Sequence, residues 1–303
     1  IEIIEGSMGV THGANAVSGI LNIITKKNSK HQWEITTSVQ EETVSDEFAL
    51  FDQGRHIQNA KISYKINNSW FASIGGSRNE FAGFFDGNEG KDHAVDDGKR
   101  GYRQLPKEQL VGNALIGYNK NDFRVFYKFD YFGENVDYYN PVVVPIDNYP
   151  FPNTNYSNDR RYISNRYYHH INSYGKLFSK LTYNVSVSHQ KQARDIEKFN
   201  YQFETESETN KSRETYQSKE VMYSTGTITN FFKDKTVDLQ LGYEIVNEKG
   251  FYDATAGTFR DDQQQVTDIR KRLENYDFFA VAEINVSDKF SLRPGLRFSS
   301  QSY

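Results

Sequence analysis

The chain has 303 residues, a formal net charge of −4 and a mean hydropathy of −0.76. No window approaches the roughly 18 apolar residues that a membrane-spanning helix needs, and the charge provides no basic surface for nucleic acid. The chain has no cysteine, which excludes disulfides and thiolate metal sites. It does have 21 tyrosines and 22 phenylalanines. A polar chain rich in aromatic residues is typical of a transmembrane β-barrel, in which only alternate residues contact lipid.

The first 27 residues combine two strand-like segments with a glycine-rich region between them. Residues 1–4 do not alternate cleanly between apolar and polar, which indicates a strand covered on both faces. Residues 19–25 are mostly β-branched and apolar, which favours a second, mostly buried strand. By composition alone, this segment also fits the end of a small α/β domain.

This segment resembles the end of the plug domain of TonB-dependent outer-membrane receptors. The resemblance runs through Glu2–Gly6, then Gly13–Ala16 and finally Gly19–Lys26, in the family's order and spacing. Ser7 and His12 depart from the family pattern, in which proline and tyrosine are usual, and neither change breaks it. The residues that carry the resemblance are Glu2, Gly6, Gly13, Asn15, Ala16, Gly19, Asn22 and Thr25.

From Trp33 onward the chain alternates apolar and polar residues in segments of about ten, as expected for barrel strands. In Phe123–Tyr131, apolar residues occupy the odd positions, while charged residues occur at even positions. A charge facing lipid near the bilayer centre costs about 2–4 kcal/mol, so the charged face is predicted to line a wet interior. The charges assigned to that interior are Arg124, Lys128, Asp130, Glu244, Arg293 and Arg297.

The connections between these segments are predicted to alternate strictly between short and long. The short connections are placed at 67–68, 119–122, 179–180, 233–235 and 287–289. The long polar connections are placed at 45–56, 80–107, 134–166, 200–218 and 252–273. An up-and-down barrel has this alternation when its turns face the periplasm and its loops face outside. A soluble sandwich, with water at both ends, has no physical reason for it.

These patterns predict an all-β chain, a transmembrane antiparallel up-and-down β-barrel preceded by the end of a plug domain. We assign residues 1–28 to the C-terminal end of the plug and residues 29–303 to the N-terminal half of the barrel. About eleven strands are expected after the plug, and the resembled family has twice that number. The chain is therefore expected to be a fragment of a longer protein.

One predicted loop, residues 86–97, is rich in acidic oxygen ligands. On the template of a calcium-binding EF-hand loop, Asp86 and Asn88 fit the first and third positions, whereas Asp97 replaces the terminal glutamate. The alternative is a solvated loop without a metal. The candidate metal ligands are Asp86, Asn88, Asp92, Asp96 and Asp97.

Another predicted loop, residues 138–152, combines four prolines with several aromatic residues. Proline stiffens a loop, and aromatic side chains offer contact area at low entropic cost. The loop is our first choice for contact with an external ligand, and packing between loops is the alternative. The arginines beside it could face an anionic ligand or lipopolysaccharide phosphate, or remain solvated. The candidate ligand-binding residues are Tyr138, Tyr139, Tyr149, Phe151, Arg160 and Arg161.

The sequence provides no constellation of nucleophile and base, and none of the common catalytic motifs. His169 and His170 are adjacent on a predicted strand, so their rings are expected to point to opposite faces and cannot bind one metal together. We therefore expect neither enzymatic activity nor a cofactor.

The family resemblance implies active uptake of a scarce ligand across the outer membrane of a Gram-negative bacterium. Ferric siderophores, cobalamin and oligomeric nutrients are such ligands. The implied partners are the TonB protein of the inner-membrane energy-coupling complex, outer-membrane lipid and lipopolysaccharide, with no nucleic acid. The alternative is a passive porin or adhesin-type barrel without energy coupling, which would not explain the plug-like opening.

Overall fold

The computed structural model describes most of the chain after residue 30 and two short strands before it. The described residues are 2–5, 19–22, 31–43, 46–50, 52–84, 106–147, 150, 154–178, 180–232, 236–253, 268–287 and 289–303. Every regular element within them is a β-strand, which confirms the predicted all-β class. None of these residues belongs to a helix with the length and apolar content needed to cross a membrane.

Fifteen strands follow one another along the described chain. They are β1 Glu2–Glu5, β2 Gly19–Asn22, β3 Trp33–Glu42, β4 Arg55–Lys65, β5 Trp70–Phe81, β6 Lys107–Lys120, β7 Phe123–Tyr138, β8 Val143–Ile146, β9 Thr154–Leu177, β10 Leu181–Gln202, β11 Ser207–Thr229, β12 Val237–Asp253, β13 Asp268–Ser287, β14 Phe290–Leu292 and β15 Gly295–Ser302.

The strands form two antiparallel sheets. β1 and β2 pair with each other, with Glu2 opposite Asn22 and Glu5 opposite Gly19. Three residues of the family resemblance thus lie in this small sheet, and Gly6, Gly13, Asn15, Ala16 and Thr25 lie outside the described residues. The resemblance therefore involves a paired strand on each side of the glycine-rich region.

The large sheet has the order β14-β13-β12-β11-β10-β9-β7-β6-β5-β4-β3, with β8 paired to β9 and β15 paired to β13. Apart from the inserted β8, each strand pairs with the next one along the chain, which confirms the antiparallel up-and-down topology. β14 and β15 both pair with β13 and are separated by residues 293–294, so they act as one interrupted strand. The count of about eleven strands after the first segment agrees with this meander.

The register assigns residues to two faces of the large sheet, because directly opposed residues in an antiparallel pair lie on the same face. One row runs from Ile116 through Tyr127, Ile171 and Val187. This apolar face leaves large side chains uncovered, with Leu296 80% exposed. Others on this face that are more than half exposed include Trp33, Ile35, Val39, Ile74, Phe278 and Phe298. Soluble monomers rarely expose so continuous an apolar surface.

The opposite face, the polar face, contains the charges that the sequence assigned to a wet interior. Lys128 lies opposite His170, and Glu244 lies opposite Asp277. Arg124, Asp130 and Arg297 share this face by register. Arg293 is exposed in the break between β14 and β15, outside the regular register.

One predicted long connection is wrong. Residues 200–218 are mostly strand, because β10 runs to Gln202, β11 begins at Ser207, and only the turn 203–206 joins them. Polar sequence here indicated a loop, but cross-strand pairs such as Arg213–Asp195, at 2.7 Å, stabilise a hairpin instead. The connection predicted at 134–166 is also shorter in the structure, where it covers residues 139–153 and contains β8. The strict alternation of short and long connections therefore fails at β10–β11.

The two ends of the strands nevertheless differ. The connections after β4, β6, β9, β11 and β13 are short, and they lie at one edge, which we call the turn edge. The opposite edge, the loop edge, carries the connections after β3, β5, β7 and β12 together with the tip of the β10–β11 hairpin. Long strands or long connections thus extend the chain only at the loop edge.

Packing of rings over glycines joins neighbouring strands of the polar face. A Cβ at Gly242 would collide with the ring of Phe279, the directly opposed residue on β13. At Gly250, on the same strand, a Cβ would meet nothing within 4 Å. Gly242→Ala is therefore expected to destabilise the protein by about 1–3 kcal/mol, and Gly250→Ala is the matched control. Urea unfolding would check this, and equal losses in both variants would contradict it.

Candidate functional site

A belt of hydrogen-bonded polar side chains crosses the polar face near the loop edge. Arg55 Nη1 lies 3.3 Å from Glu42 Oε2, and Arg55 Nε donates to Asn79 Oδ1 at 2.9 Å. Asn79 Nδ2 donates to Gln109 Oε1 at 2.8 Å, and Gln109 Nε2 donates to Glu134 Oε2 at 2.5 Å. The belt therefore links five successive strands, β3 to β7. These hydrogen bonds hold the polar side chains of the belt in fixed positions relative to one another.

Two predicted ligand-binding residues meet at the loop-edge end of this face. Tyr138 on β7 lies directly opposite Arg160 on β9, and the Arg160 guanidinium carbon is 5.9 Å from the centroid of the tyrosine ring. Tyr138 is exposed and Arg160 is half-buried. Tyr139 follows directly, whereas Tyr149 and Phe151 lie outside the described residues. The structure thus brings an aromatic ring and a cation together beside the polar belt.

Arg161, the next residue, lies on the opposite face and binds carboxylates within the protein. Its Nε donates to Asp137 Oδ1 at 2.6 Å, and its Nη2 donates to Glu208 Oε1 at 2.9 Å. Nη1 lies 3.4 Å from Glu197 Oε2, and the guanidinium covers the ring of Phe199 at 5.2 Å. These contacts favour a structural role for Arg161, which links β7, β9, β10 and β11.

Burial and the neighbouring charges shift the pKa values of the ionisable groups in this cluster. Burial raises the pKa of Asp137 above its usual value, although Arg161 opposes that shift. Burial alone would lower the pKa of Arg161, but the hydrogen bonds that it donates to Glu208 and Asp137 raise it instead. Burial would raise the pKa of Glu208, and hydrogen bonds from Arg161 and Lys211 outweigh burial and lower it. The arginine and Glu208 are therefore held in their charged forms.

A small packed unit surrounds the cluster at the loop edge of β9–β11. Ile196 and Phe199 are almost fully buried, with exposures of 1% and 3%. Asp159 is 1% exposed, and its Oδ1 accepts a hydrogen bond from the backbone N–H of Asn140 at 3.0 Å. This bond ties the segment after β7 to β9. The unit was not predicted from the sequence, because Ile196 lies between Asp195 and Glu197 and Phe199 directly precedes a segment that was predicted to be a loop.

The adjacent histidines point to opposite faces, as predicted. His169 Nδ1 lies 2.8 Å from the Tyr127 hydroxyl on the apolar face. His170 packs near Phe126 on the polar face, with ring centroids 5.6 Å apart. The acidic segment 86–97, with its five candidate metal ligands, lies outside the described residues. In the part of the chain that is described, His, Asp and Glu side chains form no group of three or more that could hold a metal ion.

A cavity of about 280 Å³ opens on the polar face near the turn edge. It lies among β3, β4, β5 and β6, and Glu34, Lys61, Lys65 and Phe71 contribute to its lining. The polar face therefore has a polar belt at one end and a charged recess at the other.

Three solved structures have a similar outline. The chain matches the copper transporter OprC with a TM-score of 0.45 and 11% identity, over 97% of this chain and 49% of OprC. It matches the ferric-catecholate import receptor Fiu from E. coli K12 with a TM-score of 0.45 and 10% identity, over 99% of this chain and 64% of Fiu. It matches the ferric yersiniabactin uptake receptor FyuA from Yersinia pestis with a TM-score of 0.42 and 10% identity, over 98% of this chain and 58% of FyuA.

The chain thus spans 49% to 64% of the length of these proteins, which are TonB-dependent receptors. No protein-family model matches the chain, and no curated protein sequence matches it.

Proposed function

We propose that this chain is part of a TonB-dependent outer-membrane receptor that takes up a scarce ligand actively. Residues 1–28 would be the C-terminal end of the plug, and residues 29–303 the N-terminal half of the transmembrane β-barrel. The ligand would be a ferric siderophore, a cobalamin or an oligomeric nutrient. The resemblance of the first 27 residues to the plug of this family supports the proposal, together with the two-faced sheet.

The observation that carries the proposal is the contrast between the two faces of the sheet. The apolar face exposes residues such as Ile35 at 66% and Phe298 at 67%, as expected if lipid covers them. On the other face, carboxylates and cations are paired, for example Arg297 with Glu244 at 3.2 Å. A barrel with a wet, plugged interior needs this arrangement of faces.

The proposed orientation places the turn edge in the periplasm and the loop edge outside the cell. The polar belt and the Tyr138–Arg160 pair then lie near the external mouth, where a ligand arrives. The recess lined by Glu34, Lys61 and Lys65 would then lie toward the periplasmic end of the barrel interior, where the plug is proposed to lie. Uptake would follow when TonB pulls the plug into a state that holds the ligand less tightly than the resting state does.

A growth assay tests the energy coupling. A strain lacking the full-length protein would be grown on limiting ferric siderophores, cobalamin or oligosaccharides, one at a time. We expect at least one nutrient to be lost, and the same nutrient to be lost when TonB is removed. A nutrient that still enters without TonB would identify a passive porin instead. No defect on any of these nutrients would contradict the uptake function.

The Tyr138–Arg160 pair provides a prediction within the same assay. Arg160→Gln should weaken binding of the nutrient identified by growth by roughly ten-fold, because it removes a charge-assisted contact at the mouth. Arg213→Gln is the matched control, since Arg213 lies at the same edge but pairs with Asp195 on the other face. Binding to whole cells would be measured with labelled nutrient. Equal losses in both variants would exclude a direct role of Arg160.

The open sheet leads to a second prediction. Among the described strands, β3 lies at one end of the sheet and the β14–β15 strand at the other, and the two ends do not pair with each other. Lipid does not tolerate unpaired strand edges. Residues 1–303 expressed alone should therefore not form a closed monomeric pore. A discrete, heat-modifiable monomer in detergent would contradict this prediction.

A further inference from the structure

A groove rich in cations lies across β10–β13, close to the loop edge. Its volume is about 570 Å³, and it is lined by six basic residues and a single carboxylate, that of Glu220. The basic residues are Lys191, Lys219, Lys249, Arg270, Lys271 and Arg272. The proposed uptake function gives these residues no role.

The register places four of the six cations on the apolar face. One row crosses the four strands: Lys191 on β10 lies opposite Glu220 on β11, Glu220 lies opposite Lys249 on β12, and Lys249 lies opposite Arg272 on β13. Arg270 is opposed to Phe251 one row nearer the loop edge. Side chains alternate between faces, so Lys191 shares its face with Val187, four residues before it.

The charged row begins where the apolar rows end. Tyr183, Val185 and Val187 on β10 occupy three successive rows of the apolar face, and the next row contains His169 and His189. Lys191 follows about 13 Å beyond Val187 along the strand. With a tilted strand, this distance reaches from the edge of the hydrocarbon layer into the headgroup layer.

Cations outnumber carboxylates on this face of the groove. Lys191, Lys249, Arg270 and Arg272 are all exposed. Two carboxylates lie beside these four cations: Glu220 Oε1 lies 3.0 Å from His189 Nε2, and Glu274 pairs with Arg272, which is one of the four.

The aromatic ring of Phe251 adds an apolar contact to this cationic surface. The Arg270 guanidinium carbon lies 5.4 Å from the centroid of the Phe251 ring, which holds the cation next to the apolar surface. The groove therefore combines an excess of positive charge with an apolar floor.

We propose that this groove binds the phosphate groups of lipopolysaccharide, whose acyl chains lie along the apolar face below it. The inference rests on the proposed outer-membrane location. A ligand with phosphates joined to acyl chains matches both the cationic row and the apolar rows beneath it. Free phosphate would match only the cationic row. An acidic protein would have to enter the headgroup layer to reach it. Basic residues at headgroup level attract anionic lipid, by about five-fold in affinity for each cation.

The test uses the full-length protein purified in detergent, with three probes added separately. They are lipopolysaccharide, the same lipopolysaccharide after enzymatic removal of its phosphates, and inorganic phosphate. We expect tight binding of the first only. Lys249→Gln with Arg272→Gln should weaken that binding about 25-fold, and the charge-conserving pair Lys249→Arg with Arg272→Lys should retain most of it. The matched control is Arg194→Gln with Lys198→Gln on the polar face, which should change binding by less than about two-fold.

Three results would overturn the inference. They are equal binding of the dephosphorylated lipid, saturation of the groove by inorganic phosphate alone, and unchanged lipid binding in the Lys249/Arg272 variant. Localisation separates these failures from failure of the proposed function. A protein that fractionates with the outer membrane and supports uptake, but does not bind the phosphates, refutes only this inference. A protein absent from the outer membrane refutes both.

Discussion

Ile62→Arg is expected to lower the free energy of unfolding from a lipid bilayer by about 2–4 kcal/mol. Ile62 is 41% exposed and belongs to a row of the apolar face that includes Ile35 and Ile74. A guanidinium at this level would have to leave water for hydrocarbon without a partner. Urea unfolding of the full-length protein refolded into lipid vesicles would measure the loss.

Ser63→Arg is the matched control for Ile62→Arg. Ser63 is the next residue on β4, but it lies on the polar face directly opposite Glu34. An arginine there would stay in contact with water and could pair with the carboxylate, so we expect a change below about 1 kcal/mol. Similar losses in the two variants would contradict the assignment of lipid to the apolar face.

Arg161→Met is expected to have the second large effect, a loss of about 2–3 kcal/mol from the stability of the loop-edge unit. The three carboxylates around Arg161 have side chains between 17% and 25% exposed, so without the guanidinium they would repel each other in a poorly solvated place. Hydrogen exchange of β9–β11 in the full-length protein would measure local opening. Arg213→Met, which removes an arginine that is 48% exposed, is the control and should cost much less.

The same cluster predicts a dependence on pH. Arg161 lies 16 residues from Leu177, about 53 Å along β9, so in the proposed barrel it lies beyond the part of the strand that spans the membrane. The pKa of Glu208 is lowered from 4.5 in the folded protein, so its contribution to stability is complete above that pH and is lost as pH falls through the folded value.

Asp137 makes a contribution of opposite sign to the pH dependence of stability, because burial raises its pKa above 3.8. Protonation in acid therefore removes the energetic cost of burying its charge. Glu208→Gln should destabilise the hairpin at pH 7 and reduce its sensitivity to acid below about pH 4.5. Hydrogen exchange measured across this pH range would detect the difference. An unchanged acid transition in Glu208→Gln would show that Glu208 has no part in it.

The sequence predicted the strand class, the strand count and the two faces because these depend on local alternation. In β7, Arg124, Lys128 and Asp130 lie on the polar face as expected, since side-chain direction in a strand follows directly from position parity. The short turns after β4, β6 and β9 were also predictable, because they interrupt clear apolar alternation.

The hairpin of β10 and β11 was not predictable in the same way. Apart from Tyr201, Phe203 and Tyr216, residues 200–218 are polar on both faces, so a sustained apolar alternation is absent. Their pairing depends on contacts such as Arg161–Glu208 between residues 47 positions apart. The partners of Arg161 likewise come from β7, β10 and β11, which only the assembled sheet brings together. Tyr138 was predicted inside a loop and Arg160 beside it, whereas the structure places both on strands, and their direct opposition follows from the register.

The length of the β10–β11 hairpin has a consequence for what the cell exposes. β10 has 22 residues, and a tilted strand crosses a bilayer in about 9–11 of them. The remainder extends roughly 40 Å further as a paired ribbon. In the proposed orientation this ribbon is a rigid projection, and among the described residues its tip, 204–206, would extend farthest from the membrane, where an antibody or a bacteriophage could bind it.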